Sequence, residues 1–443
     1  MSVVPPSALG EPCVLLKLGE VVLKGRNREL FERQLQANIK AALKGFGVKV
    51  DVRQRHGVIA ILLPEGTGVE TADAIAERLT DVIGLVWVHR AWRVAKNPEA
   101  VTAAALELVA GRPEVERRAT FAVRSRRRDK RFPLRSNELD RMVGGEINDK
   151  YGLPVRLKNP ELTVNIEVDR DEVFVFTDGL PGQGGLPVGT SGRGLVLMSG
   201  GIDSPVAAYR MLRRGLQVDF LHFSGIPFTT SESIYKAYAL VRALSKFQGN
   251  ARLFVVPFGK AQQSLKASGA DRLQVVAQRR LMLKTAEEVA HRLRRNVLVT
   301  GDSLGQVSSQ TLQNITALDD AVELPILRPL IGMDKTEIMA EARRIGTLQI
   351  SELPDEDCCT LLTPRRAETA AKIADLRQIE KRLDAEELAV QLADSIQEYK
   401  LDGTPAAVRR SPKAADAPNA ADAAPAADDA PAVDAAPAAP AAV

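Results

Sequence analysis

Cysteine is scarce: Cys13, Cys358 and Cys359 are the only three among 443 residues. Three thiols make no disulfide framework, so the chain does not read as a stapled secreted scaffold. The usage fits a reducing cytoplasm, where a lone cysteine is either buried filler or a reactive thiol. No apolar run approaches the roughly 18 residues that span a bilayer. Residues 1–10 lack both a basic n-region and an apolar h-region, so no secretory signal is expected and a cytoplasmic location is. No repeat with a period of about 20–50 residues is present, which argues against a solenoid. There is no G-x-x-x-x-G-K-[ST] and no C-x-x-C, which removes a Walker A loop and a cysteine-pair metal or cluster site. No metal site is expected.

The bulk of the chain is ordinary for a globular protein, 45% hydrophobic and 26% charged. Its length allows two or three domains of roughly 100–200 residues. The net charge of +4 conceals an asymmetry. Residues 404–443 carry five Asp against Arg409, Arg410 and Lys413, a net of −2, which leaves +6 on the remainder. Between Arg117 and Arg135 stand nine Arg or Lys and a single acid, Asp129. A local field of that size favours a polyanionic partner.

Periodicity divides the chain. Residues 14–18 read as a strand, 27–43 as a helix with Leu30, Phe31, Leu35, Ile39 and Leu43 at helical spacing, and 48–52 and 58–63 as strands. That order suggests a small α+β unit with a helix laid on an antiparallel sheet. Helices at 70–79 and 98–109, a strand at 120–124, a basic loop, a helix at 136–150 and a hairpin of 162–168 with 172–177 follow. The Gly- and Pro-rich stretch 178–194 reads as a linker. From 195 to 346, strands (195–198, 218–223, 253–257, 297–300, 326–330) alternate with helices (204–214, 233–247, 271–294, 335–345). This is the pattern of a parallel sheet with helices on both faces, whose ligand belongs at the carboxyl ends of the strands. A helical segment is expected at 369–398, then a disordered Ala/Pro-rich tail.

The first strand of the alternating region runs directly into Ser199-Gly200-Gly201-Ile202-Asp203-Ser204, and a helix follows. Gly200 and Gly201 let the backbone approach an anion closely and take positive φ where needed. The hydroxyls of Ser199 and Ser204 and the backbone amides can hold phosphate oxygens at the helix N-terminus. Pro205 fits a first turn, where its missing N–H would be unpaired anyway. A bare Gly-Ser turn is the plain alternative, but the whole hexapeptide after an apolar strand favours a nucleotide. His222 and Phe223 end the next strand; His222 either caps that strand or contacts adenine. Gly301 would allow close approach after the fourth strand, and Gln310 could read nucleotide or substrate base. Arg279 or Arg280 could reach phosphate, or both could belong to a solvated helix face.

The hexapeptide resembles the PP-loop of ATP pyrophosphatases, which split ATP between the α and β phosphates and join a substrate oxygen to AMP. The chain more broadly is similar to the tRNA 4-thiouridine synthetases, or tRNA uridine 4-sulfurtransferases. Gly19, Glu20, Lys24, Gly25, Asn27, Arg28, Phe31 and Glu32 look like that family's amino-terminal motif. Phe121, Arg124, Arg126 and Arg127, with Lys130, Phe132, Pro133 and Ser136, look like its THUMP domain. Thr300, Gly301, Gly305, Gln306, Gln310 and Thr311 are similar to its second active-site stretch.

The resemblance implies an α/β fold: a parallel-sheet PP-loop domain (adenine nucleotide α-hydrolase-like) preceded by ferredoxin-like and THUMP α+β domains. The expected divisions are 1–73 (ferredoxin-like), 74–179 (THUMP), 180–400 (PP-loop) and 401–443 (tail). It implies ATP, with Mg2+, bound by Leu197, Met198, Ser199, Gly200, Gly201, Ser204, His222, Phe223, Arg279, Gly301 and Gln310, with Asp203 catalytic. It implies that O4 of uridine 8 in tRNA is adenylated and that a persulfide sulfur then displaces AMP. Arg124, Arg126, Arg127, Arg128, Lys130 and Arg131 would meet tRNA phosphates. Cys358 aligns with a family cysteine that can form a catalytic disulfide with a persulfide-bearing partner; Cys359 is its alternative, and the acidic flank counts against easy activation of either thiol. Longer members carry the persulfide on a C-terminal rhodanese-like domain. This chain reads as a short form without it, so the expected donor is a cysteine desulfurase. Supply of sulfur to a thiocarboxylate carrier protein in thiamine synthesis is implied too, although that role belongs to the rhodanese part. Homodimerisation is left open. Two other readings stand: a different PP-loop enzyme, either amide-forming or 2-thiolating, and an RNA-binding protein with an inactive nucleotide fold. The latter class of thiolating enzymes typically shows the C-x-x-C absent here, and intact Asp203 and Ser204 argue against a dead fold.

Overall fold

A computed structural model describes residues 10–55, 58–64, 66–354, 364 and 366–401. Cys358, Cys359 and the expected tail lie outside these residues. Among the described residues no helix is long and apolar enough to cross a membrane.

The amino-terminal half is built on β1 (Glu11–Leu18), α1 (Arg28–Leu43), β2 (Asp51–Arg55), β3 (Val58–Leu62), α2 (Val69–Leu79) and β4 (Leu85–Val94). It continues through α3 (Pro98–Ala110), α4 (Pro113–Glu116), β5 (Phe121–Arg127), α5 (Ser136–Tyr151), β6 (Leu162–Val168) and β7 (Val173–Pro181). Helix α1 forms because Leu35, Ile39 and Leu43 recur on one face and bury there. Helix α3 starts where Asn97 accepts from the Ala100 amide and Pro98 takes the first turn. The two small sheets expected of separate units are one. The strands join in the order β2-β3-β1-β4-β7-β6-β5, and β4 is the seam, pairing antiparallel with both β1 and β7. The expected division at residue 73 falls inside α2.

This sheet curls. Arg53 on β2 donates to Glu172, in the turn before β7, at 2.9 Å, although three strands lie between them. The concave face closes on Cys13, Leu15, Ala60, Phe174 and Phe176, with Val58, Leu62 and Ala91. The helices cover the convex face through two further clusters, around Ile39 and Ile75 and around Val143 and Val164.

The second half runs β8 (Arg193–Leu197), α6 (Asp203–Arg213), β9 (Gln217–Ser224), α7 (Glu232–Gln248), β10 (Leu253–Pro257), α8 (Gly259–Ala267), α9 (Gln274–Arg292) and β11 (Leu298–Val299). Then come α10 (Leu312–Asp319), β12 (Ile326–Leu327), α11 (Lys335–Ile345), α12 (Leu348–Ser351), α13 (Ile373–Leu383), α14 (Ala385–Asp394) and β13 (Gln397–Tyr399). Five strands are parallel in the order β12-β11-β8-β9-β10, as the alternation requires. The helix expected at 369–398 is instead α13, α14 and an antiparallel edge strand, β13, on β10. Asp384, at φ 50° and ψ 57°, breaks the helix. Apolar clusters fill both faces of the sheet, which buries strands such as β9 almost completely.

The stretch read as a linker is a hydrogen-bonded strap. Gly84 donates to Gly184 O at 2.8 Å, Gly184 to Leu85 O at 2.7 Å and Leu186 to Arg213 O at 2.9 Å. Arg214 clasps Glu20 with both terminal nitrogens, at 2.8 and 3.2 Å.

Candidate active site

At the carboxyl end of β8 the chain turns into α6 through the Ser-Gly-Gly loop. The Ser199 amide donates to Ser204 Oγ at 3.0 Å, and the Gly201 amide to Ser199 Oγ at 3.2 Å. The serine hydroxyls therefore brace the turn, and the helix N-terminus borders a cleft of about 290 Å³. Neither Gly200 nor Gly201 adopts positive φ, contrary to the allowance made for them, and neither lines the cleft. Steric demand falls on Gly301: a Cβ there would lie 2.8 Å from the Ser204 nitrogen and 2.9 Å from the Asp203 carbonyl carbon.

The cleft gathers Leu197, Met198, Ser199, Asp203, Ser204, His222, Phe223, Arg279, Gly301 and Gln310 from five segments of the chain. His222 is 3% exposed; its Nδ1 lies 2.9 Å from Met198 O and its Nε2 3.3 Å from Ser233 Oγ. It thus ties the loop to the start of α7 while presenting its ring to the cleft. The neighbours Arg279 and Arg280 point apart, as successive helical residues must. Arg279 faces the cleft and donates to Asp302 at 2.5 Å and Ser309 Oγ at 3.1 Å. Arg280 is buried, paired bidentate with Glu380 at 2.6 and 3.0 Å and with Asp320 at 3.1 Å.

Lys335, Asp302 and Arg328 were not singled out from sequence. Asp203 accepts from Gln306 Nε2 and from Lys335 Nζ, each at 2.9 Å. Lys335 opens α11, which Asp334 and Glu337 cap reciprocally. Asp302 accepts from Arg279, Thr300 and Arg328. Burial pushes its carboxyl up, but Arg279 and those other donors outweigh that and hold it below the usual range. Gln310 donates to Asp302 at 3.3 Å, and its Oε1 is buried without a partner, a polar atom left for an incoming group. Lys335 was legible in principle, since it starts a helix at the carboxyl edge of the sheet.

The basic stretch is less of a loop than expected. β5 continues to Arg127, and its parallel pairing sets Arg126 beside Glu167 and Arg127 beside Val168. Arg127 donates to the carbonyls of Phe132 and Leu134, Arg128 to Glu167 at 3.0 Å, and Arg131 to Asp129 at 3.1 Å. Arg124, Arg126, Lys130 and Arg131 are exposed. Arg126 and Arg128 meet Arg26, Arg28 and Arg170 around a second cleft of about 960 Å³, where the curl of the sheet brings the amino-terminal motif against β5. Cys13 is buried on the concave face; burial, then Glu172, raises its thiol pKa well above the ordinary value, so it is no nucleophile.

These features agree with what the chain is similar to. The model of the ThiI ferredoxin-like domain matches residues 13–88, that of the THUMP domain 95–178, and that described as "Thiamine biosynthesis protein (ThiI)" 189–385. A probable tRNA sulfurtransferase of Nocardia farcinica is 50% identical over 87% of this chain and 93% of that relative. One of Thermus thermophilus is 42% identical over 83% and 89%. The crystal structure of a 4-thiouridine synthetase–RNA complex with bound ATP superposes with a TM-score of 0.79 at 30% identity, covering 88% of this chain and 99% of that one. A protein from Pyrococcus horikoshii shares the fold at a TM-score of 0.56 and 22% identity, over 76% of this chain and 99% of its own. The chain belongs to the tRNA sulfurtransferase family.

Proposed function

We propose that the protein uses ATP to convert uridine 8 of tRNA into 4-thiouridine. The observation that carries this reading is the cleft at the PP-loop, where Gly301 presses the second active-site stretch against the Asp203–Ser204 backbone. ATP lies there with its phosphates at the N-terminus of α6 and its base toward His222 and Phe223. The uracil O4 attacks the α-phosphorus, the bond to the β-phosphate breaks, and pyrophosphate leaves. A poor leaving oxygen has then become AMP. The terminal sulfur of a persulfide attacks C4 and AMP departs. The Cys358 thiol takes the sulfur that carried it, which releases the thione and forms a disulfide for an external thiol to reduce.

Asp203 keeps Lys335 and Gln306 directed at the reacting phosphate. Among the carboxylates lining the cleft, Asp203 has solvent access and Asp302 is enclosed by two guanidinium groups, so Mg2+ arriving with ATP fits beside Asp203. When bound, it offsets charge on the phosphates. The tRNA body lies on the basic cleft around Arg126. The partners of this reaction are tRNA and a cysteine desulfurase in the cytoplasm. The family description favours a second reading, sulfur supply to a thiocarboxylate carrier in thiamine synthesis.

The test is to incubate the protein with tRNA, ATP, a desulfurase and cysteine and to read near-ultraviolet absorbance of 4-thiouridine. Asp203→Ala and Cys358→Ser should each abolish it. Full yield from Asp203→Ala would refute the site assignment; full yield from Cys358→Ser would refute the thiol's part. Carrier protein in place of tRNA tests the second reading.

A further inference from the structure

A parallel sheet closes its apolar surface under helices, yet one end of this one stays apolar and open. Several large apolar side chains of the second half are exposed in the segments that follow the strands. Three of them cluster. Leu304 and Val307, in the loop after β11, are 53% and 51% exposed, and Ile331, after β12, is 40% exposed. The Leu304 amide donates to Ile331 O at 3.1 Å, so the two loops lie together. Both loops lead to one carboxylate: Gln306 and Lys335 each reach Asp203. Val307 itself lines the nucleotide cleft. Apolar surface gathered at the mouth of a cleft is the kind that marks a binding site.

We propose that Leu304, Val307 and Ile331 form the wall that receives the acceptor pyrimidine after it leaves the RNA stack. This deepens the proposed function and rests on it. A base must be extruded before its O4 can meet a phosphorus inside a cleft, and unstacking is repaid by packing on apolar side chains. The wall adjoins the nucleotide cleft and carries no charge to hold phosphate. Its occupant is therefore the flat face of the base, with the ribose-phosphate chain outside. The three side chains position the base and touch no proton in transfer.

The test separates acceptor engagement from sulfur delivery. Without a sulfur donor, pyrophosphate release stimulated by tRNA is measured for the parent protein and for Leu304→Ser with Ile331→Ser. Stimulated release at saturating tRNA should fall roughly tenfold to a hundredfold. ATP affinity and tRNA affinity in a gel shift should stay within about twofold, since Arg279 and the basic cleft are untouched. Leu304→Met with Ile331→Val should restore release, which a folding defect would not. Unchanged release with slowed sulfur transfer would overturn the proposal and assign the patch to a protein donor. Unchanged release and transfer would overturn it outright. A parent protein that never releases pyrophosphate on adding tRNA would instead refute the adenylation reading beneath it.

Discussion

Gly301→Ala is the sharpest probe of the site. The new methyl would lie 2.8 Å from the Ser204 nitrogen and 2.9 Å from the Asp203 carbonyl carbon, both backbone atoms. Relief to the 3.4 Å of ordinary contact demands about 0.6 Å of movement by β11's loop or by the first turn of α6. Neither moves freely. Ser204 is fixed by Ser199, and Asp203 by Gln306 and Lys335. Forced overpacking of this kind costs about 1–3 kcal/mol. If the α6 turn yields, the Ser204 amide leaves its place beneath a phosphate. Losing one hydrogen bond to a charged group is worth about 1.5–3 kcal/mol, so ATP should bind roughly 10- to 150-fold more weakly. Calorimetric titration with a non-hydrolysable ATP analogue reads the affinity, and a thermal melt reads the stability. Gly145→Ala is the control, since a Cβ on that exposed glycine of α5 meets nothing within 4 Å. It should stabilise by about 0.5–1 kcal/mol and leave ATP binding alone. An unchanged affinity and melting point for Gly301→Ala would refute the claim that backbone approach sets the nucleotide loop.

Other consequences are independent of ATP. Arg280→Met leaves Glu380 without its buried cation, while Asp320 keeps Arg377, which should cost about 3 kcal/mol in denaturant titration and leave the cleft's own groups in place. Asp384→Gly relieves a left-handed residue between α13 and α14 and should stabilise the fold by about 0.5–1 kcal/mol, read as a small rise in melting temperature. Burial, and then Lys17, depress His89 to about 4 against an ordinary 6.5. The unfolded chain therefore binds the extra proton between those two values. Stability should fall as pH drops through that window, by on the order of 2 kcal/mol, and His89→Phe should flatten the fall. Alkylation of the native protein should leave Cys13 unmodified in a peptide map, because its thiol is buried and protonated.

The candidate nucleotide site was largely legible because its signal is local. An apolar strand, a Gly-Ser turn and a helix with Pro205 in its first turn are contiguous, and the structure places β8, the loop and α6 there. His222 and Gly301 were weighed from their places after strands, and they and Gln310 were also implied by the family resemblance; the structure sets all three against the cleft. Partners that arrive from afar were not found. Nothing near Lys335 in sequence says that its amine meets Asp203, and only packing of α11 on α6 brings the two together. The same holds for the sheet of the first half. Apolar patterning marks β1 and β7 as strands, but β4 was not read as one, and it is the strand that uses both of its edges to join the sheet. β13 was hidden in a helical pattern because three residues are too few to show period two against α14's repeat. The residues alone left Arg279 and Arg280 open and the resemblance named Arg279; the physical reason is Glu380, about a hundred residues away, which pairs with Arg280.

The strap between the halves bears on how an RNA could use both clefts. Its backbone bonds run in both directions, from Gly84 to Gly184, from Gly184 to Leu85 and from Leu186 to Arg213. Gly185, at φ 77°, lies so close to Arg213 O that a Cβ could not be accommodated. Glu20, from the amino-terminal motif, then clasps Arg214 at the end of α6, the helix whose other end is the nucleotide loop. The basic cleft around Arg126 and the PP-loop are thus tied through one helix and one short strap. A hinge would have to break several of these backbone bonds together, along with the exposed Glu20–Arg214 pair. In the proposed reaction the flexible partner is therefore the RNA. On that proposal the RNA supplies the movement, with its phosphates at the cleft around Arg126 and an extruded base at the PP-loop.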